Sequence, residues 1–149
     1  MKKIWEEEMK LQCMLEVEIA VCEQLTSEGK IPKEAMQIIK EKANFDPERI
    51  REIEKTTKHD VIAFLTNVAE YVGEESCYIH LGLTSSDVLD TGLALQLSKT
   101  VSILIEDIKK LKTTLKNRAI EHKNTLVSGR THGMQAEPTT LGHKLAIWY

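Results

Sequence analysis

From about Ser86 to Lys123 the sequence carries one unbroken helical pattern. Leu97, Val101, Leu104, Ile108, Leu111 and Leu115 step by four and three residues alternately, which is a heptad seam. After Gly92 no glycine or proline interrupts it. Such a run far exceeds the ~11–12-residue mean of globular helices. Alone it would leave its seam in water, so the pattern demands partner helices, either later in a longer chain or from other subunits. The expected fold class is therefore all-α, with this helix in a bundle or coiled coil.

The text on either side is also helical. Lys2 to Ser27 carries Ile4, Leu11, Leu15, Cys22 and Leu25 on one stripe, with Met14, Val17 and Val21 beside it. Gly29 and Pro32 stop that segment and restart the chain. Pro32 to Lys42 reads as a short helix. Asp46-Pro47-Glu48 spells a helix start, with a cap, a proline at the first position and an acid in the first turn. Asp60 to Val72 follows, presenting Val61, Phe64, Leu65 and Val68, and Gly73 closes it. A last helical element is expected from near Pro138, with Leu141, Leu145 and Trp148 on one face. It stops in mid-pattern at Tyr149, which suggests the N-terminal part of something larger. The expected division is an N-terminal helical domain over 1–84 and the start of a central helical-bundle domain, incomplete, over 85–149.

Bulk properties narrow the function classes. The 149 residues are 42% hydrophobic and 29% charged with a net charge of −3, which excludes a disordered chain. No basic excess marks a nucleic-acid surface. No uninterrupted apolar run approaches the ~20 residues of a membrane span, so no membrane partner is expected. Cys13, Cys22 and Cys77 form no disulfide framework, which suits reduced thiols in the cytoplasm. Cys77 and His80 have the spacing of half a zinc site, but the other half is missing, so no metal is expected.

Three polar islands break the helical text. In "TTKHD", Thr57 and Asp60 have capping-box-like spacing, while Lys58 and His59 sit at a helix start, where free N–H groups favour anions. These two are either plain exposed first-turn residues or part of a phosphate or carboxylate site. In "HLGLTSSD", Thr84, Ser85 and Ser86 supply more hydroxyls than one cap needs, and His80 is either a satisfied core histidine or an active-site group. In "SGRTHGMQAEPTTLGHK", Gly129 and Gly133 flank Arg130, Thr131 and His132, so the backbone can turn tightly beside a ligand. His132 is of the residue type that titrates near neutrality, a candidate acid or base. Together the islands offer His, Lys, Thr and Ser, a set suited to anion recognition with proton transfer.

"TKHDVIAF", "HLGLTSSDVLDT" and "SGRTHGMQAEPTTLGHKLA" resemble, in order along the chain, three signature regions of the adenylosuccinate lyase family of the fumarase/aspartase superfamily. The resemblance implies a lyase that eliminates fumarate from adenylosuccinate to give AMP, and from the succinyl-carboxamide ribotide of purine synthesis. On that basis His132 takes the place of the general acid and His80 that of a further active-site histidine. Lys58, His59, Asp60, Thr84, Ser85 and Thr131 take the places of substrate-binding residues. The resemblance further implies small-molecule substrates, no cofactor, no metal and a homotetramer with active sites shared between subunits. The family's Arg-Tyr pair before the first helix and its serine-bearing loop, the source of the proposed base, are absent from this sequence. The chain by itself is therefore expected to be inactive. Gln135 stands where many members have histidine, and Lys58 where many have arginine. Two other readings stay open: another fumarate-releasing lyase, such as argininosuccinate lyase or a carboxymuconate cycloisomerase-like protein, and a non-catalytic helical oligomerisation module.

Overall fold

In the computed structural model, which describes residues 1–149, each sequence stop signal falls at an element end. A single 3-10 turn, Lys2–Trp5, precedes α1 (Glu7–Ser27). The expected Lys2–Ser27 helix is thus split, because Glu6 is extended (φ −76, ψ 151) and separates the two pieces. Next come α2 (Lys33–Lys42), α3 (Pro47–Thr57) and α4 (Asp60–Val72). The Asp46 carboxylate accepts from the Glu48 amide at 2.9 Å, and Pro47 occupies the first turn. Such a cap contributes about 1 kcal/mol. Asn67, buried in α4, accepts from the Asp46 amide at 2.8 Å and donates to Glu70 at 3.1 Å. Arg49 of α3 meets the same Glu70 at 2.7 Å, so one small network sets where α3 begins against α4.

The chain divides into two compact units, Met1–Thr100 and Val101–Tyr149, and the division falls within the long helix α5 (Ser85–Glu121). In the first unit Phe64, Val61 and Val68 of α4 are fully buried with Met14, Leu15, Ile39, Val72 and Val88. Full burial of each such side chain contributes roughly 1.5–3 kcal/mol. Gln96 donates to the Ile4 carbonyl at 2.7 Å, and Lys99 pairs with Glu16 at 2.9 Å, holding the start of α5 against the N-terminal segment.

The second unit holds the only strands. Leu126–Thr131 (β1) and Met134–Thr140 (β2) form an antiparallel hairpin, and α6 (Leu141–Ala146) follows. The last helix was expected from near Pro138; it begins at Leu141, and Pro138 lies on β2 opposite Ser128. Proline favours a first helical turn, but an edge strand tolerates it equally because only one ladder N–H is lost. Thr140 caps α6, its hydroxyl accepting from the His143 amide at 3.1 Å. Gly142 is buried where an added Cβ would lie 2.4 Å from the Ala119 carbonyl, so α6 rests directly on the backbone at the end of α5.

The fold class is all-α, with that hairpin as its one exception. The seam of α5 is open: Leu97, Val101, Leu104, Ile108 and Leu111 are each about half exposed, while Leu115 is buried. By length and composition α5 is apolar enough to cross a membrane, its most apolar 18-residue window having a mean hydropathy of 1.3. An uninterrupted apolar run is still absent, because Gln96, Ser98, Lys99, Thr100 and Ser102 break it, and Lys99 is paired with Glu16.

Candidate functional site

The first island lies at the α3–α4 junction. Lys58 ends α3 in the left-handed region (φ 55), its N–H bonding the Glu54 carbonyl at 2.9 Å. The capping box expected from Thr57 and Asp60 does not form. His59 is the cap of α4 instead, its Nδ1 accepting from the Ile62 amide at 3.4 Å, while the Thr57 hydroxyl donates to the His59 carbonyl. The left-handed turn at Lys58 moves the cap two residues on from Thr57. Asp60 lies beside His59, 3.5 Å away, and also accepts from the Val61 amide at 2.8 Å. Lys58, His59 and Asp60 are all exposed at the head of a 13-residue helix, where unpaired N–H groups and the dipole favour an anion.

The second island opens α5. The Thr84 amide donates to the Asp87 carboxylate at 2.9 Å, one half of a capping box. Thr84 is exposed and Ser85 half-buried at the first turn. His80, four residues earlier, is held from below. Its main-chain N–H donates to Glu18 Oε2 at 2.9 Å, and its ring Nδ1 lies 2.7 Å from Glu18 Oε1.

Glu18 is 1% exposed, in the middle of α1. Burial pushes its carboxyl above the ordinary range, while the His80 ring and amide pull it back down. One turn further along, Cys22 has its thiol pushed up to about 11 by burial and by the Glu18 charge, and it donates weakly to the Tyr78 carbonyl. Cys22 is thus an inert neutral thiol at physiological pH. Sequence reading missed Glu18, although a signal was there. The stripe Leu11, Leu15, Cys22, Leu25 has its vacant helical step at position 18, and that step carries an acid.

The third island is the hairpin. Thr131 pairs with Met134, so His132 and Gly133 form a two-residue connection with φ of 49 and 74. Positive φ at both central residues is the type I′ turn that matches strand twist. His132 stands exposed at its tip. The histidines of this chain that pair with carboxylates are His59, His80 and His122, and His132 is not among them. Further back, the ladder has a bulge between Ser128 and Arg130. There a Cβ on Gly129 would lie 2.5 Å from the Glu137 carbonyl, so that glycine is required for close backbone approach.

One pattern unites the islands. The non-glycine residues with positive φ are Lys58, His80 and His132, one in each island. A left-handed conformation costs an ordinary residue roughly 1–2 kcal/mol, and such conformations cluster where function requires them. Among the groups named from sequence, the structure brings Lys58, His59 and Asp60 together on one helix start, and Thr84 and Ser85 on another. Thr131 and His132 sit side by side at the hairpin tip.

A model of the lyase family matches residues 1–149. The chain belongs to that family. It is 55% identical over 148 residues to adenylosuccinate lyase of Synechocystis sp., covering 99% of this chain and 34% of the relative. It is 50% identical to adenylosuccinate lyase of Aquifex aeolicus, covering 100% of this chain and 35% of the relative. The chain thus spans about a third of the length of these relatives. Among solved structures, the 3-carboxy-cis,cis-muconate lactonizing enzyme of Pseudomonas putida superposes with a TM-score of 0.90 at 33% identity, over 97% of this chain and 35% of that one. This places the chain in the fumarase/aspartase superfamily, as the three motifs implied.

Proposed function

We propose that this chain is the N-terminal part of an adenylosuccinate lyase. The reaction would release fumarate from adenylosuccinate to give AMP, and from the succinyl-carboxamide ribotide of purine synthesis, in the cytoplasm and without metal or cofactor. The observation that carries the reading is the coincidence of left-handed backbone at Lys58, His80 and His132 with the three islands. Chain-wide identity to adenylosuccinate lyases supports the choice of substrate.

In this reading a base removes the proton beta to the C–N bond, leaving a carbanion stabilised as an aci-carboxylate. His132 protonates the departing nitrogen as the C–N bond breaks. The helix start at Lys58, His59 and Asp60, together with Thr84, Ser85 and Thr131, holds the phosphate and carboxylates of the substrate. Preorganised donors aimed at the developing dianion would supply the largest share of the acceleration. The base would come from the serine loop of the complete enzyme. The division into a helical domain over 1–84 and the start of a bundle domain over 85–149 belongs to the same proposal. So does the homotetramer, with the half-exposed seam of α5 available for bundling.

The test is fumarate release by the complete protein, with adenylosuccinate, argininosuccinate and a carboxymuconate supplied separately. Turnover of adenylosuccinate is expected. Release from argininosuccinate alone, or lactonisation of the muconate, which the solved relative makes the second reading, would overturn the proposal. Within the complete enzyme, His132→Ala is expected to lower kcat by at least ~10²-fold with substrate binding largely kept, as loss of general acid catalysis requires. Near-normal turnover would remove His132 from the acid role.

A further inference from the structure

His80 differs from the other site histidines in having two of its groups held by one buried carboxylate. Glu18 Oε2 takes the main-chain N–H at 2.9 Å and Oε1 faces ring Nδ1 at 2.7 Å. The two residues are 62 positions apart in sequence, and His80 lies in the left-handed region with φ 66. Glu18 is 1% exposed, and the His80 side chain 19%. A helix of apolar stripe residues has no packing use for an acid at that step. Leu11, Leu15 and Cys22 above and below it are all buried.

We propose that Glu18 is a positioning residue for His80: it fixes the ring with its proton on Nδ1 and leaves Nε2 as the working nitrogen. The chemistry leaves little choice. An ionised carboxylate has acceptors only, and a main-chain N–H can only donate, so Oε2 is committed. With Glu18 only 1% exposed, Oε1 needs a second donor, and Nδ1–H at 2.7 Å has the short length of a charge-assisted bond. Which ring nitrogen of a histidine keeps the proton is set by the bond the other one makes. With Nδ1 spent on Glu18, the neutral ring offers its Nε2 lone pair to a proton or donor on the substrate. When protonated, the same atom donates to an anion. The assignment of a role in the lyase rests on the proposal above, but the tautomer does not.

The experiment is a long-range proton–nitrogen correlation spectrum of the chain labelled with 15N-histidine, the His80 signals assigned by their loss in His80→Gln. The expected wild-type pattern has protonated Nδ1 and an unprotonated, acceptor-type Nε2. Glu18→Gln is expected to invert it. The amide oxygen of the substituted side chain takes the fixed main-chain N–H, its NH2 then faces Nδ1, and the ring must move its proton to Nε2. Helical circular dichroism of both proteins establishes that they are folded. A merely structural Glu18 would leave the tautomer unchanged on substitution, and that result overturns the proposal. A wild-type ring protonated on Nε2 overturns it without reference to any variant. Because no substrate enters, failure here is distinguishable from failure of the lyase reading, which fumarate release decides.

Discussion

His80 and His132 have the same side chain and both occupy left-handed backbone, yet they are held in opposite ways. His80 is clamped by a buried acid from a distant helix, so its orientation follows from the packing of α1. His132 is placed by a turn alone: strands fix its main chain, while its ring stands exposed. A site residue can thus be oriented through its ring or only through its backbone. Only the first kind is oriented by side chains packed in its own unit.

Breaking the clamp should have the largest effect. Glu18→Ala leaves the His80 amide and ring without their acceptor, and loss of one partner of a buried pair costs about 3–5 kcal/mol. Urea unfolding should show a loss of that order, and a change below ~1 kcal/mol would mean the pair does not hold the loop. The next largest effect belongs to the hairpin. Gly129→Ala drives a methyl into the Glu137 carbonyl, at a cost of roughly 1–3 kcal/mol. Hydrogen exchange should report loss of protection in β1 and β2 while the His80 signals stay put. If both regions changed together, the two histidines would not be independently held.

The buried acid also makes stability depend on pH. Burial raises the Glu18 carboxyl above its ordinary 4.5 in the folded chain. As pH rises past that value the unfolded chain gives up its proton first, so the folded state binds more protons. Stability therefore falls with rising pH until the folded carboxyl has also ionised, and then levels off. Unfolding midpoints in urea from about pH 4 to about pH 7 should show this slope, and Glu18→Gln should flatten it. The smallest effect is expected at the turn. His132→Gly relieves a left-handed side chain and should stabilise the hairpin by up to ~1 kcal/mol, visible as slower amide exchange at Thr131 and Met134. A loss of stability would mean the histidine ring packs usefully after all.

Much of this was legible in the residues. The Asp46-Pro47 start, the stop at Gly73 and the extent of α5 follow from capping chemistry and periodicity, which act locally. The hairpin did not announce itself. Its strands hold Ser, Gly, Arg, Gln and Glu with no clean alternation, and the His-Gly turn lacks the Asn or Asp that usually marks type I′. Pro138 also imitated a helix start. The three candidate islands were legible through residue chemistry, but their common left-handed backbone was not, because φ at each position is imposed by the elements packed on either side of it. Glu18 stayed hidden for another reason. Its partner is 62 residues away, and only the folding of α1 against the His80 loop reveals why an acid occupies an apolar stripe.

The half-exposed stripe on α5 has a practical consequence at the bench. A row of leucines, valine and isoleucines along one side of a 37-residue rod will grip a phenyl column and bring the chain out early in ammonium sulfate, since excluded salts favour burial of apolar area. Purification should therefore load at high salt and elute as salt falls, with recovery dropping as concentration climbs.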